Sequence, residues 1–477
     1  MARPIWGDGV PLGFDGPGKR ARPILYDERA ERASGSCLAI GDAGRTTAGL
    51  VVTQLLDEPG KRSFIVLDPG GRIAGITSKW RRKVCGGNNV KIINPYGVLT
   101  DKRPDLRSDQ WNALNVLEPG AADYGDQCSA LGGMVLGAGV GEYHPHFLDR
   151  AREAVTGGIY CLVKGADAKN LPRSLPTVLA LFAATPEAVK EKIVGIISRC
   201  GDFDIKSSRL ASFLGSAEEL NTVLAVLRSR TGWMSRAIRD DMATAGGVDF
   251  RDCVRRPTTV YVIVPDVEVN GNGIAYLRLI LSAALRALYS PEATVPTTVI
   301  VERAGALRYH ARLEEALWVL GRYNSRATIM FDSFAQIKRL YPQSWEFFAS
   351  GAVICLRPPD TETAAWVVRK IADLARTSSR RIAELDLLKM PPGRGLVFLP
   401  HAGSPRQSWI KRYYDIPRLS ARADANPFYN SCSQSGWGMR VKMAVAAAAA
   451  GAIGGASLML RGAARHAAPG KGARNFR

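Results

Sequence analysis

Residues 37–47 read CLAIGDAGRTT, and residues 63–73 read SFIVLDPGGRI. In both stretches an apolar run ends at a glycine-rich turn, and the first turn opens a helical pattern over residues 46–56. Strands that are apolar along their whole length, rather than at alternate residues, are typical of a parallel sheet covered on both faces. The two stretches therefore predict an α/β fold in which strands and helices alternate.

The alternation stops and later resumes. From about residue 145 to residue 250 the sequence has helical patterns without a strand signal, and the capping box Ser216-x-x-Glu219 begins one of these helices. Further strands are predicted at residues 91–94, 258–264, 297–301, 327–331, 352–356 and 395–399, with an apolar helix at 277–288.

We therefore expect one large α/β domain that is interrupted once. Its first part comprises residues 1–144, an all-α insertion follows at 145–255, and the second part comprises 256–427. Residues 428–477 are predicted to form a tail, and the weak periodicity that indicates a tail already begins at Tyr413.

Composition limits the class of protein and of partner. Of the 477 residues, 46% are hydrophobic and 23% are charged, which excludes a wholly disordered chain and a polytopic membrane protein. The formal net charge of +20 favours an anionic partner, and a general compositional preference for Arg is the alternative. The eight cysteines occur singly and the five histidines are dispersed, so neither a zinc site nor a disulfide framework is predicted, and a reducing cytoplasm is the default compartment.

An apolar run near the C-terminus is the one candidate membrane segment. Residues 443–460 read MAVAAAAAGAIGGASLML, lie between Lys442 and Arg461, and are just long enough to span a bilayer. Most of them are Ala and Gly, which partition weakly into lipid. A C-terminal anchor and a low-complexity tail that stays outside the bilayer therefore both remain open.

The turn after the first strand resembles a phosphate-binding loop. That pattern is G-x-x-x-x-G-K-[ST] between a strand and a helix, and here Ala39 replaces the first Gly and Arg45 replaces the Lys. Backbone amides and a helix N-terminus at this place favour an anion, and Thr46 is a candidate magnesium ligand. The predicted nucleotide-binding residues are Gly41, Asp42, Ala43, Gly44, Arg45, Thr46 and Thr47. An ordinary strand–turn–helix junction is the alternative.

A carboxylate follows the strand at residues 297–301. Glu302 is the candidate second magnesium ligand and the candidate catalytic residue, because phosphate-loop enzymes place acidic residues at such a strand end. The next residue is Arg303, which stays protonated and cannot act as a general base. Alternatively, Glu302 and Arg303 form a solvated strand end.

Several segments in order resemble the type IV secretion coupling proteins, the TraG-type conjugative DNA-transfer ATPases. Residues 64–73 (FIVLDPGGRI) resemble the family's V-L-D-P-K-G-E-L, residues 94–97 (NPYG) its N-P-F-G, and residues 111–115 (WNALN) its N-P-L segment. In the second half, residues 257–265 resemble the strand after the family's helical insertion, 302–307 and 313–317 its D-E-F-A-A-L and L-E-E-A-L, 334–341 its A-Q-L-K-x-L-Y, and 391–398 its last core strand.

The resemblance implies a RecA-like P-loop nucleotide-binding domain interrupted by an all-α domain. It also implies ATP and Mg as cofactors, single-stranded DNA or a relaxase–DNA complex and the secretion channel proteins as partners, a homo-hexamer, and a location at the cytoplasmic face of the inner membrane or in the cytoplasm. The resemblance also shows where this sequence departs from the family motifs. The family has Lys at the positions of Arg45 and Gly70, Glu at that of Arg72, an acid at that of Arg303 and Gln at that of Asp332.

These replacements affect the γ-phosphate clamp and the activation of water, which hydrolysis needs together. We therefore expect a subunit that recruits a DNA–protein substrate with weak or absent ATP hydrolysis. An active, DNA-dependent hexameric ATPase motor is the alternative.

Two further clusters have a functional and a structural interpretation. Residues 80–83 (WRRK) and the pair Arg380 and Arg381 are basic clusters that either contact a phosphate backbone or form solvated helix faces. His144 and His146 have no third ligand at a suitable spacing, so they are predicted to begin the helical insertion rather than to hold a metal.

Overall fold

A computed structural model of the chain describes residues 4–428 apart from 7–8, 19, 27–35, 139–143, 166–172, 201–208, 216, 245, 375–383, 401 and 403. Within these residues one sheet holds the strands β1 (Val10–Phe14), β2 (Pro23–Tyr26), β3 (Cys37–Ile40), β4 (Ser63–Pro69), β5 (Val90–Ile93), β6 (Thr259–Val264), β7 (Thr297–Val301), β8 (Ser325–Phe331), β9 (Ala352–Leu356), β10 (Arg394–Phe398) and β11 (Arg406–Trp409).

The strand order in the sheet is β2-β1-β11-β10-β9-β3-β8-β7-β4-β6-β5. From β9 to β5 all neighbouring strands are parallel, as the apolar runs predict. The other end of the sheet is antiparallel, and here the sequence prediction was incomplete. Strands β1, β2 and β11 were not predicted because they lack a continuous apolar run: β1 (VPLGF) contains Pro11 and Gly13, β2 (PILY) begins with Pro23, and β11 reads RQSW with two exposed residues.

Helices cover both faces of the sheet. They are α1 (Ala43–Thr46), α2 (Val52–Asp57), α3 (Arg72–Cys85), α4 (Tyr124–Ala138), α5 (Pro145–Gly165), α6 (Leu175–Leu181), α7 (Pro186–Cys200), α8 (Ala217–Thr231), α9 (Arg236–Met242), α10 (Asp252–Arg255), α11 (Asn272–Leu288), α12 (Ala311–Val319), α13 (Phe334–Leu340), α14 (Trp345–Phe348), α15 (Thr361–Leu374), α16 (Glu384–Leu388) and α17 (Pro417–Ser420). A π-helical segment, Thr47–Val51, joins α1 to α2.

Alternate residues of the central strands contribute to two hydrophobic cores. Leu38 and Leu67 face the larger core, which continues into the helices of the insertion, whereas Ala39 and Val66 face a smaller core on the opposite side. Since successive side chains of a strand point to opposite faces, this division explains why the strands are apolar along their whole length.

The helical insertion contains α4 to α9, and the described residues between β5 and β6 include no strand. In α8 the apolar side chains of Leu220, Val223, Leu224 and Leu227, which recur at helical spacing, are buried. Helix α4 begins at Tyr124 and packs along α5, so helical structure starts before residue 145. Ser216 of the predicted capping box lies outside the described residues, and the exact domain boundaries stay predictions.

The segment after β11 packs against the core, so a tail does not begin at Tyr413, although the weak periodicity from that residue onward indicates one. Tyr413 and Leu419 are buried against α2 and α3, and Pro427 contacts Gly75 of α3. Weak periodicity concealed this packing because the segment is irregular apart from α17. The candidate span at 443–460 lies outside the described residues, and none of the described helices has the length and apolarity to cross a membrane.

Candidate nucleotide site at the strand ends

The carboxyl ends of the parallel strands meet at one edge of the sheet. Ile40 of β3 is in register with Phe331 of β8, and Val301 of β7 is in register with Ile329 of β8 and Leu67 of β4. The residues at or just after these strand ends are therefore neighbours: they are Gly41, Asp332, Glu302, Asp68 and Asp266. In open α/β sheets ligands bind at this edge, outside the carboxyl ends of the strands.

The turn between β3 and α1 is shorter than a phosphate-binding loop. Strand β3 includes Ala39 and Ile40, and α1 begins at Ala43, so only Gly41 and Asp42 connect them. Gly41 has φ +109°, and a Cβ atom there would lie 2.1 Å from the carbonyl oxygen of Leu356 on β9. This close approach requires glycine and leaves fewer free backbone amides than a six-residue loop offers to a phosphate.

The start of α1 already has a negatively charged partner. The Asp42 carboxylate accepts a hydrogen bond from the backbone N–H of Arg45 at 3.0 Å, which makes Asp42 the N-cap residue. Its other oxygen lies 3.2 Å from Nε of Arg45. The predicted phosphate-binding cation is therefore paired within its own turn, and a carboxylate takes the position at the helix N-terminus that favours an anion.

Two threonine hydroxyls follow, and the second one reaches the strand end. Thr46 is buried and donates to the carbonyl of Asp42 at 2.8 Å. Thr47 is hydrogen-bonded to Oε1 of Glu302 at 2.5 Å and lies 2.9 Å from the carbonyl of Ala43. The residue that links the turn to Glu302 is thus Thr47, at the point where the π-helical segment begins.

Two carboxyl groups are buried together at this edge. Asp68 is completely buried and accepts hydrogen bonds from the backbone N–H groups of Ile73 at 3.1 Å and Ala74 at 2.7 Å, which caps α3. Burial raises the pKa of Asp68 well above its ordinary value, and the charge of Glu302 adds to this effect. Burial also raises the pKa of Glu302, although Thr47 stabilises its ionised form. The alternative of a solvated strand end at Glu302 was therefore wrong.

Arg303 sits outside this pair in a left-handed conformation with φ +56°. Its guanidinium group is 2.8 Å from Oδ1 of Asp266, the residue that follows β6 and Pro265. A Cβ atom on Gly70 would lie 2.6 Å from Oδ2 of Asp266. The two replaced motif positions, 70 and 303, thus meet the same carboxylate, a relation that the sequence analysis missed.

Asp332 has a side-chain partner as well. The Gln336 amide donates to Oδ2 of Asp332 at 3.2 Å, and its oxygen accepts from the Asp332 backbone N–H at 3.1 Å. The amide also lies against Gly305, where a Cβ atom would come within 2.1 Å of it. Gln336 was not among the predicted site residues; its position four residues after Asp332 was the available signal.

These contacts do not match the requirements of magnesium–ATP. The cations Arg45 and Arg303 are each paired with a carboxylate, and the N-terminus of α1 is capped by Asp42. Glu302 is buried against Thr47 with a raised pKa. Among the described residues, no group of three or more His, Cys, Asp or Glu side chains is arranged to hold a metal ion.

Only part of the basic cluster at residues 80–83 lies at the protein surface. Arg81 is fully buried, with hydrogen bonds to Glu58, Thr259 and the carbonyl of Arg62, so its assignment to a basic surface was wrong. Arg380 and Arg381 lie outside the described residues. At the start of α5, His144 accepts a hydrogen bond from the backbone N–H of His146 at 3.3 Å, consistent with a role in beginning the helix.

Comparisons with known proteins agree with this architecture. A family model described as "Type IV secretory system Conjugative DNA transfer" matches residues 35–374. The unbound bacterial conjugative coupling protein TrwBdeltaN70 has 14% sequence identity and a TM-score of 0.59, with 85% of this chain and 89% of that chain covered. For the plasmid coupling protein TrwB in complex with ADP and Mg2+ the values are 14%, 0.58, 82% and 87%.

VirB4 of Thermoanaerobacter pseudethanolicus is 15% identical with a TM-score of 0.50, and 86% of this chain and 98% of that chain are covered. None of the curated proteins matches the sequence significantly. At these identities the structural likeness establishes the fold alone. It confirms the predicted RecA-like α/β fold with a helical insertion.

Proposed function

Because the chain belongs to the type IV secretion conjugative DNA-transfer family, we propose that it is a coupling-protein-like subunit that recruits a DNA–protein substrate with little or no ATP hydrolysis. The observation that carries this proposal is the Asp42 carboxylate at the N-terminus of α1, paired with Arg45. A nucleotide phosphate would meet this negative charge at the place where it needs positive charge.

The activation of the attacking water also lacks a suitable residue. Hydrolysis needs a residue that orients or deprotonates water, and Arg303 cannot serve as a base. Removing one preorganised group that stabilises a transition state raises the barrier by about 3–4 kcal/mol. The changes at Arg45 and Arg303 affect two such groups, so we expect turnover far below that of an active motor.

Binding of DNA and of the transfer machinery does not depend on this chemistry. The net charge of +20 favours the phosphate backbone of single-stranded DNA or of a relaxase–DNA complex. Secretion channel proteins would be the further partners, and the subunit would act at the cytoplasmic face of the inner membrane, with residues 443–460 as the candidate anchor, or in the cytoplasm. These assignments rest on family membership and on charge.

The alternative is an active hexameric ATPase that moves single-stranded DNA. The observation that favours it is the retained pair of Thr46, the last residue of α1, and Glu302, the residue after β7. In that case these two residues would hold magnesium, and ATP and Mg would be cofactors, as ADP and Mg2+ are in the complex of TrwB. The negative charge of Asp42 at the N-terminus of α1 would then have to be tolerated beside the nucleotide phosphates.

The test is phosphate release by the purified protein with magnesium–ATP, with and without single-stranded DNA. We expect the wild type to bind the DNA but to release no phosphate above the buffer control. The variant Asp42→Gly/Arg45→Lys/Arg303→Glu restores a phosphate-loop lysine and an acid, so we expect it to gain nucleotide binding and measurable turnover. Arg236→Glu, an exposed residue paired with Asp240, is the matched charge-reversal control.

DNA-stimulated turnover by the wild type would support the motor and refute the non-hydrolysing subunit. Failure of the wild type to bind DNA would contradict the recruiting role itself. If the triple variant folds and binds nucleotide but stays inactive, the lost chemistry extends beyond these three positions.

A further inference from the structure

A second cluster of arginines lies away from the strand ends, where the helical insertion meets the core. It surrounds a cavity of about 320 Å³ between α4 and α5 on one side and α11 and the start of α12 on the other. We call it the α4–α11 cavity. Its polar side chains are those of Ser129, Arg152, Arg278, Ser282, His310 and Arg312.

The charge of this cavity has one sign. Of the residues that the structure describes, three arginines and no carboxylate line it. A neighbouring cavity of about 290 Å³ shares Ser129 and Arg152 but is also lined by Asp149 and Glu153. Arg152 also pairs with Asp149, so the positive charge of the α4–α11 cavity that no acid opposes among the described residues is chiefly that of Arg278.

Arg278 is held in place without an acidic partner. Its guanidinium donates to the carbonyl oxygens of Leu307, of Tyr309 at 2.8 Å and of Gly137 at 3.1 Å. Burial lowers the pKa of Arg278, and the charge of Arg308 acts in the same direction. In the part of the chain that the structure describes, no carboxylate pairs with Arg278, so its charge at the cavity wall has no counter-charge there.

The polar wall beside Arg278 is neutral. Nδ1 of His310 accepts from the backbone N–H of Leu313 at 3.1 Å, and its Nε2 is 3.2 Å from both the Ser282 hydroxyl and the Arg278 carbonyl. Burial, together with the nearby charge of Arg278, lowers the pKa of His310 to about 4. Near neutral pH the wall therefore adds hydrogen-bonding groups without adding a charge that would compete with a ligand.

The other two arginines, Arg152 and Arg312, can leave their acidic partners for a ligand with only a small loss of free energy. Arg152 pairs with Asp149 and Arg312 pairs with Glu315, each three residues along its own helix and each at 2.6 Å. All four side chains are about half exposed. Exposed pairs of this kind contribute about 0–1 kcal/mol, whereas a phosphate offers an arginine two parallel charge-assisted hydrogen bonds.

We propose that the α4–α11 cavity binds the phosphate group of a phosphate ester, with Arg278 as the fixed donor and Arg152 and Arg312 as the closing donors. Guanidinium groups suit phosphate geometry, and the volume lies within the range of small-ligand pockets at domain interfaces. A free nucleotide and a backbone phosphate of single-stranded DNA share this chemistry. Since Arg152 belongs to the insertion and Arg312 to the core, the bound phosphate also ties these two parts together.

The experiment uses the full chain and three probes: inorganic phosphate, thymidine monophosphate and a single-stranded oligothymidylate, each titrated by calorimetry. The test variant is Arg152→Gln/Arg312→Gln, which leaves Arg278 and its carbonyl contacts intact. The control is Arg236→Gln/Arg256→Gln, which also removes two arginines from exposed ion pairs but lies outside the cavity. We expect the test variant to bind at least one probe about tenfold or more weakly, and the control to match the wild type within twofold.

The probes separate the two sources of phosphate. Loss with thymidine monophosphate identifies a free-nucleotide site, and loss with the oligonucleotide alone identifies a backbone-phosphate site. Equal binding by test and control variants for every probe, or no binding of any probe by the wild type, overturns the proposal. The first result leaves the proposed function standing, because DNA is still bound, whereas the second also contradicts the recruiting role. DNA-stimulated ATP hydrolysis would refute the non-hydrolysing subunit without bearing on this cavity.

Discussion

The strand-end edge and the α4–α11 cavity both carry arginines, and they differ in the acids beside them. At the strand ends, Arg45 pairs with Asp42 and Arg303 pairs with Asp266. In the cavity, Arg278 contacts only carbonyl oxygens among the described residues. The number of cations is thus a poor guide to anion binding. Arg45 and Arg303 at the strand ends each have an acidic partner, whereas the cavity contains one arginine, Arg278, that no carboxylate opposes among the described residues.

The largest expected effect is a loss of stability on acidification, caused by His310 in the wall of the cavity. The folded-state pKa of His310 is about 4, below the ordinary value of 6.5. As the pH falls below 6.5, the unfolded chain takes up a proton that the folded chain refuses until about pH 4, so stability is lost across this window. The shift corresponds to about 3 kcal/mol of unfolding free energy.

Urea unfolding at several pH values between 7 and 4 measures this loss. His310→Asn keeps an acceptor at the N-cap of α12 but cannot be protonated, so we expect its stability to fall less steeply with decreasing pH than that of the wild type. His146→Asn, at an exposed histidine, is the control and should follow the wild type. Parallel curves for all three proteins would show that His310 does not remain neutral in the fold.

The second effect concerns the buried acids of the strand ends. Burial raises the pKa of both Asp68 and Glu302, and these acids repel each other when ionised. Glu302→Gln removes one charge and keeps an acceptor for Thr47, so we expect about 1–2 kcal/mol of added stability at pH 8. The gain should shrink as the pH falls, because the wild-type acids then become protonated and lose their penalty.

Thermal or urea unfolding with and without magnesium extends this test. If Glu302 holds no metal, adding magnesium does not change the difference in unfolding free energy between the wild type and Glu302→Gln. Glu362→Gln, at an exposed residue that pairs with Lys338, controls for the loss of one negative charge. Magnesium that stabilises the wild type but not Glu302→Gln would instead assign a metal site to the strand ends and weaken the contrast with the cavity.

Local patterns predicted the parallel half of the fold, and contacts between distant residues were out of their reach. Strands such as β4 and β7 are continuous apolar runs, so the sequence alone predicts them. The bond from Thr47 to Glu302 joins residues 255 positions apart, and no spacing rule predicts it. The burial of Arg81 depends likewise on Glu58 and Thr259, which only the folded chain brings near.

The candidate site shows the same division. Residues 41–47 lie at a strand–turn–helix junction, as the sequence predicts, but Asp42 and Arg45 pair with each other instead of forming separate parts of an anion cradle. Their spacing of three residues was a readable signal for a cap and an ion pair. The arginines of the cavity come from three separate helices, so their convergence appears only once α5, α11 and α12 are packed.

The smallest effect on stability is expected at Asp42, and it tests the comparison most directly. Asp42→Asn keeps the cap acceptor for the Arg45 amide and removes the negative charge, so stability should change by only a few tenths of a kcal/mol, whereas Asp42→Ala should lose about 1 kcal/mol. Both variants leave Arg45 unpaired in its turn. We therefore expect both to bind ATP more tightly than the wild type, by calorimetry, with Asp15→Asn as the exposed control. ATP binding unchanged in both variants would mean that self-neutralisation by Asp42 is not what separates the strand ends from the cavity, and that the short turn at Gly41 excludes the phosphate by itself.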